Sequence, residues 1–421
     1  MSPRTASAPN IERRQLHTLV APGDLVYIAG SSGAPSAFLD SLLSERASTQ
    51  DLRILTSFVP GINAMDLDQL HPSARVTGLF MQPSFSDAQR DTRFRALPMS
   101  YGAFVRYLRE HIDIDLAVVQ VSPPDENGLC SLGPAVEFMP VALTKSRRRI
   151  GLININTPRL PISICVPYDS FDFVCEVDTP LPVYATIADE TTRHIARHVA
   201  TLVEDGCVLQ LGLGKLPTAL SQLLKDRRGL RFHSGMLSDG FLELAECGAL
   251  DAGFTHTACV VVGSKALYSA LGNYPALRLA GCEVTHDSYV LGQYRGLVAV
   301  NSALEVDLFG QCNLEHAAGS AVSGVGGAPD FARAARLSVG GRSVVALNAR
   351  HKSGSRIVST LSPPSVASLT RYDVDFVVTE FGVADLVEAS VHERALALIE
   401  IAAPEFRDNL SEQWRAIAAR L

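Results

Sequence analysis

Leu19-Val-Ala-Pro-Gly-Asp-Leu-Val-Tyr-Ile28 has a counterpart further along the chain, Leu202-Val-Glu-Asp-Gly-Cys-Val-Leu-Gln-Leu211. Both read as a helix end, a turn at glycine and an apolar strand. Their continuations agree as well, because Pro35-Ser-Ala-Phe38 and Pro217-Thr-Ala-Leu220 each open a helical pattern. A second pair keeps nearly the same offset: Asp125-Glu-Asn-Gly-Leu-Cys-Ser-Leu132 and Asp307-Leu-Phe-Gly-Gln-Cys-Asn-Leu314, each after an apolar strand. A third pair, Asp172-Phe-Val-Cys-Glu176 and Asp375-Phe-Val-Val-Thr-Glu380, follows in the same order. Three ordered matches mark a duplication.

Within each half, apolar strands alternate with helical patterns. Ile195, Val199, Leu202 and Val203 form one helical stripe, and Val260-Val-Val262 suits a strand buried on both faces. The expected class is α/β: two tandem duplicated open α/β domains, each a mainly parallel sheet with helices on its faces. Two prolines in Asp178-Thr-Pro-Leu-Pro182 stop regular structure before a helix signalled by Asp189. The expected domains are therefore residues 1-182 and 183-421. Ligands favour crevices at the carboxyl ends of such strands, so an active-site cleft is expected between the two domains.

The bulk properties narrow the class. The 421 residues are 47% hydrophobic and 19% charged, with a net charge of -7, which gives no reason to expect nucleic-acid binding. No apolar run approaches the ~20 residues that span a bilayer. Arg4, Arg13 and Arg14 lie among Ser and Ala as in a transit segment, but Glu12 and the lack of an amphipathic stripe argue against one. The eight cysteines form no Cys-x-x-Cys pair and mostly sit in apolar runs. They read as reduced, buried thiols of a cytoplasmic protein, and no metal site is expected.

Three loops carry candidate chemistry. Gly212, Leu213, Gly214 and Lys215 follow a strand and open a helix, where small residues admit a ligand to the backbone and the helix amino end favours anions. A plain strand-to-helix turn would read the same way. Gly324-Val-Gly-Gly-Ala-Pro-Asp-Phe331 places three glycines in four positions, which leaves amides uncovered by side chains. Arg350, Lys352 and Arg356 crowd together after the strand Ser343-Val-Val-Ala-Leu347, as anion contacts or as ordinary surface charge.

These loops, together with Arg231-Phe-His-Ser-Gly-Met-Leu-Ser-Asp-Gly240 and Asn301-Ser-Ala-Leu-Glu-Val-Asp-Leu308, make a set that resembles the acetyl-CoA hydrolase / 4-hydroxybutyrate CoA-transferase family. The resemblance runs from about Leu19 to Leu410. It implies the CoA-transferase / NagB-RpiA-like fold, an acyl-CoA substrate with no tightly bound cofactor, and a homodimer. It also implies that Gly212, Leu213, Gly214, Lys215, Arg350 and Lys352 contact coenzyme A. Gly326 or Gly327 would offer an amide to the thioester oxygen, as an oxyanion hole requires.

One position departs from the pattern. Family members read His-(Ser/Thr)-Glu-Met where this chain has His233-Ser-Gly-Met236, so the resemblance implies that the nucleophilic Glu is replaced by Gly235. A glycine cannot attack a carbonyl. Ser234 would need an activating base. His233 reads more simply as a packed or hydrogen-bonded histidine. Asp239 and Glu305 are the carboxylates left to consider, with Glu305 favoured for positioning because relatives carry Glu or Gln there. Val387-Glu388 also departs from the Arg-Gly usual in the family. Three functions stay open: an acyl-CoA hydrolase (or a C–C hydrolase of a β-keto-acyl-CoA), a CoA-transferase to a small carboxylate through another acid, and a catalytically silent CoA-binding subunit.

Overall fold

The computed structural model describes residues 8–352 and 354–421; Arg4 lies outside the described residues. The chain forms two compact units, one of residues 8–184 with 257–285 and one of residues 185–256 with 286–421. In the first unit, seven strands are numbered β1 (Leu25–Ile28), β2 (Arg53–Thr56), β3 (Arg75–Gly78), β4 (Phe94–Ala96), β5 (Ile114–Val121), β6 (Ser146–Asn154) and β7 (Phe173–Val177). They form one sheet in the order β4-β3-β2-β1-β5-β6-β7. Every pairing is parallel.

The second unit repeats this plan. Its strands are β8 (Val208–Leu211), β9 (Arg231–Leu237), β10 (Leu297–Ser302), β11 (Arg342–Ala346), β12 (Phe376–Thr379) and β13 (Gly382–Asp385). They hold six consecutive places of an eight-stranded sheet, in the order β9-β8-β10-β11-β12-β13 with two further strands beyond β9; β12 and β13 pair antiparallel, and the other pairings among the six are parallel. In both units the first strand is central, and the winding reverses beside it. Helices α1 (Glu190–Ala200), α2 (Lys215–Leu223), α3 (Asp239–Glu246) and α4 (Ala328–Leu337) belong to the second unit. Asp189 caps α1 by accepting the Thr192 amide at 2.9 Å, and α1 buries Thr192, Ile195, Ala196 and Val199. Phe331 anchors α4 in a cluster with Val208, Leu291, Leu297 and Ala299.

The duplication extends to single hydrogen bonds. Asp125 Oδ1 accepts the amides of Asn127 and Leu129, and Asp307 Oδ1 accepts those of Phe309 and Gln311. Gly128 and Gly310 turn these loops at φ +73° and +87°, a conformation that favours glycine. Asp172 Oδ2 accepts the Arg149 amide, and Asp375 Oδ2 the Ser343 amide, both at 2.9 Å. Arg148 donates to the Leu19 carbonyl and to Asp24, while Arg342 donates to the Leu202 carbonyl and to Glu204. Each arginine thus ties an inner strand to the segment entering the central one.

The sequence places a boundary after residue 182, and the first stretch of the first unit ends at residue 184. Residues 257–285, read from sequence as part of the second domain, pack instead with the first unit. Backbone pairing accounts for this: Val136 N donates to the Cys259 carbonyl, Val261 N to the Pro134 carbonyl and Tyr184 N to the Gly263 carbonyl. An apolar strand run reads identically whichever unit it joins. Among the described residues, no helix is long and apolar enough to cross a membrane.

Candidate functional site

Strand β9 carries the stretch around Gly235. Side chains alternate along a strand, so His233 and Gly235 share a face and Ser234 takes the other. Ser234 is fully buried, and its hydroxyl is consumed by backbone: it donates to the Leu211 and Met236 carbonyls at 2.8 and 2.9 Å and accepts the Leu211 amide at 3.3 Å. It is a stitch between β8 and β9. His233, also fully buried, places Nδ1 2.8 Å from the Tyr294 hydroxyl.

The face shared by His233 and Gly235 looks onto His286. A Cβ built on Gly235 would lie 3.1 Å from His286 Nε2 and 3.7 Å from Phe331. A Cβ on Gly327 would lie 2.3 Å from the same nitrogen. The imidazole is therefore seated against the backbone of both glycines, with Phe331 edge-on to it at 4.9 Å between ring centroids. His286 is buried, and burial together with the neighbouring His233 pushes it down to about 3. It is neutral at ordinary pH. His286 stands just before Asp287, the cap of the short helix Ser288–Gly292, and no motif in the sequence marks it. A polar residue between two helical starts carries no signal of what it meets in space.

Gly327 meets the His286 ring directly, and Gly326 precedes it in the chain. Gly326 has φ +54°, and Gly327 is the N-cap of α4 without a side-chain cap. The Ala328 amide bonds back to the Val325 carbonyl at 3.2 Å. The amides of Gly326 and Gly327 thus lie at the electropositive start of a helix, with Gly327 against the His286 ring.

A pocket of about 220 Å³ opens at the carboxyl ends of β8, β10 and β11. Its lining brings together Leu213, Gly214, Lys215, Asp189, Asn348 and Arg356. Gly214 caps α2 at φ +122°, ψ -174°, a conformation open essentially to glycine alone. Lys215 Nζ pairs with Asp189 Oδ2 at 2.8 Å, and that contact, with the α1 capping bonds, holds the Asp189 carboxyl well below its usual range. Arg356 is half-buried, and Glu305 and Glu380 nearby favour its charge against the cost of desolvation. Gly212 borders a smaller crevice with Met236, Ser238 and Phe241.

The remaining sequence candidates lie elsewhere. Arg350 is paired with Glu405 at 3.0 Å and lies over the Phe381 ring, outside the pocket lining. Lys352 is exposed at φ +51° in the turn between the short strands Arg350–His351 and Gly354–Ser355. Asp239 opens α3, where a carboxylate suits the helix amino end. Glu305 Oε2 accepts Asn313 Nδ2 at 2.9 Å and the Ser365 hydroxyl at 2.6 Å, which fastens one small sheet.

Two family profiles match the chain. Residues 88–184 match the acetyl-CoA hydrolase/transferase N-terminal domain, and residues 263–414 match the corresponding C-terminal domain. The 4-hydroxybutyrate coenzyme A transferase of Clostridium kluyveri is 30% identical over 93% of each chain. The succinyl-CoA:cyclohexane-1-carboxylate CoA transferase of Geobacter metallireducens is 31% identical over 94% of this chain and 93% of its own. The acetyl-CoA hydrolase of Saccharomyces cerevisiae is 27% identical over 75% of this chain and 68% of its own. Among solved structures, RipA from Yersinia pestis superposes with a TM-score of 0.87 at 27% identity over 97% of both chains. The 4-hydroxybutyrate CoA-transferase of Porphyromonas gingivalis gives 0.80 at 26% identity, again over 97% of both. The chain is an enzyme of the acetyl-CoA hydrolase/transferase family.

Proposed function

We propose that this chain hydrolyses a small acyl-CoA thioester, or the C–C bond of a β-keto-acyl-CoA, without forming a glutamyl-CoA intermediate. One observation carries the reading: at position 235 the strand presents only a hydrogen, and the space beyond it belongs to a neutral imidazole. No carboxylate extends from that position to attack a carbonyl, so water becomes the acceptor. Coenzyme A would lie in the pocket of Leu213, Gly214, Lys215 and Arg356, with its phosphates near the two cations. The acyl oxygen would rest on the amides of Gly326 and Gly327, a stabilisation that mutagenesis elsewhere values at ~3–4 kcal/mol per donor. Arg350 and Lys352 would meet the phosphates only from the pocket's outer side. A cytoplasmic homodimer completes the reading, and light scattering tests the dimer.

The second reading is transfer to a carboxylate through another acid, which the names of the transferase relatives favour. Glu305 is weakened for that part by its bonds to Asn313 and Ser365. The discriminating experiment is an acyl-CoA panel assayed for free thiol, with and without acetate or succinate. Hydrolysis predicts release independent of the acceptor and no thioester trapped by borohydride. Release that requires the acceptor, with a labelled Glu peptide, establishes transfer. Thermal stabilisation by CoA without turnover of any thioester establishes a silent binder.

A further inference from the structure

We propose that the groove between α1 and α2 is a binding site, separate from the CoA pocket, for an aliphatic carboxylate of medium chain length. Helical spacing builds its walls. Arg193 and Arg197 stand four residues apart on α1, and Ala219 and Leu223 four apart on α2, so each pair shares one helical face. These four residues line a cavity of about 310 Å³, and Thr186, Ile187 and Ala188 lie along it. That last segment is stitched to α2: Thr186 Oγ1 lies 3.5 Å from Thr218 Oγ1, whose hydroxyl donates to the Gly214 carbonyl at 3.0 Å. The volume is at the lower end of the range for ligand pockets, so the groove suits an occupant of a few carbons.

The chemistry of the lining calls for an anion with an apolar tail. Both charged residues of the lining are arginines. One exposed carboxylate serves the two of them, since Glu190 lies 3.0 Å from Arg193 and 3.5 Å from Arg197. A positive charge is left over even with the neighbouring His194 neutral, and the planar fork of a guanidinium matches a carboxylate. The CoA pocket differs, because Lys215 there has Asp189 as a carboxylate of its own in the lining. The apolar side of the groove also lacks cover: Ile187 is 85% exposed and Leu223 41%. A short aliphatic chain laid along the groove covers both while its head meets the arginines. A carboxylate is released by thioester hydrolysis and exchanged in transfer, so the site takes the reaction's own class of molecule under either reading above.

The test is calorimetric titration of the full-length chain with octanoate, alone and with CoA in excess. Octanoate is expected to bind one to one in both conditions. Each methylene added from butyrate to octanoate should tighten binding about two- to fourfold. Octanol and inorganic phosphate, which each lack half of the ligand's chemistry, should bind at least about tenfold more weakly than octanoate. Arg193→Gln with Arg197→Gln should weaken octanoate by at least about tenfold. Ile187→Ser should weaken octanoate and leave butyrate nearly unchanged. All three side chains are exposed and lie outside the CoA pocket lining, so both variants should melt with the wild type. Octanoate binding that survives the double substitution, octanol that binds as tightly, or displacement of octanoate by CoA overturns the site. A wild type that releases no CoA from any thioester defeats the proposed function and leaves this site standing, because the titration reads binding alone.

Discussion

Gly327 and His286 are in such close approach that a Cβ on the glycine would stand 2.3 Å from the imidazole Nε2. No methyl group fits there unless the ring moves, and Phe331 packs against the ring. Gly327→Ala is therefore expected to cost about 1–3 kcal/mol, the usual range for overpacking. Gly235→Ala, whose Cβ would meet the same nitrogen at 3.1 Å, should cost less. Urea denaturation of both variants checks the order, and a Gly327→Ala variant as stable as wild type contradicts the packing.

The same geometry governs any attempt to install a carboxylate at position 235. Gly235→Glu alone places its side chain into the His286 ring, so the variant should be destabilised and catalytically no better than wild type. Paired with His286→Ala, the acid gains room, and the double variant should be the more stable of the two. Mass spectrometry after borohydride treatment with acyl-CoA would then reveal a modified Glu only in the double variant. A stable single variant that is readily labelled would show that the ring yields at little cost.

Three buried groups contribute to the pH dependence of stability with opposing signs. Burial lowers His256 to about 4 and His286 to about 3, from an ordinary value near 6.5. Between those values and 6.5 the unfolded chain holds protons that the native chain does not. Each histidine's contribution is therefore complete above 6.5 and is lost as pH falls, at ~1.4 kcal/mol per pH unit. Glu137 runs the other way: burial raises it to about 7, and its contribution is complete below 4.5 and lost as pH rises through 7. Two histidines outweigh one acid between 4.5 and 6.5, so these groups together favour a maximum near pH 6.5. Because Ser57 donates to Glu137 Oε2 at 2.7 Å, Glu137→Gln keeps an acceptor there. It should raise Tm at pH 8 and leave it nearly unchanged at pH 4. Melting curves at the two values check the sign.

Lys215→Ala removes a pocket cation whose pairing with Asp189 is half exposed. Such pairs are worth ~0–1 kcal/mol, so Tm should barely move. Loss of a charge-assisted contact to a CoA phosphate should weaken CoA by about tenfold. Arg356→Ala should act in the same direction. Isothermal titration with CoA reads both, and unchanged affinity in the two variants places the phosphates elsewhere.

Much of this architecture was legible because the duplication is written in turn chemistry as well as hydrophobicity. Asp125 with Gly128, and Asp307 with Gly310, form the same loop because an aspartate and a left-handed glycine at that spacing leave the backbone few alternatives. The strand pairs beginning at Leu25 and Val208 likewise hold the central places in their sheets. The loop of Gly214 and Lys215 was visible for a similar local reason. His286 was not, since its meaning depends on Gly235 and Gly327, both remote in sequence. For Arg350 the charge shows in the sequence, but its pairing with Glu405 does not. Residues 257–285 group with the first unit, and the backbone bonds they make near Pro134 and Tyr184, far away in the chain, are not written in their own sequence.

That return has a consequence for how the protein is made. The polypeptide passes from one unit to the other three times, at residues 184/185, 256/257 and 285/286. Neither body can therefore be obtained by a single cut. During synthesis the amino-terminal body cannot be completed until residue 285 has left the ribosome, so the first half must wait, unfinished, for part of the second.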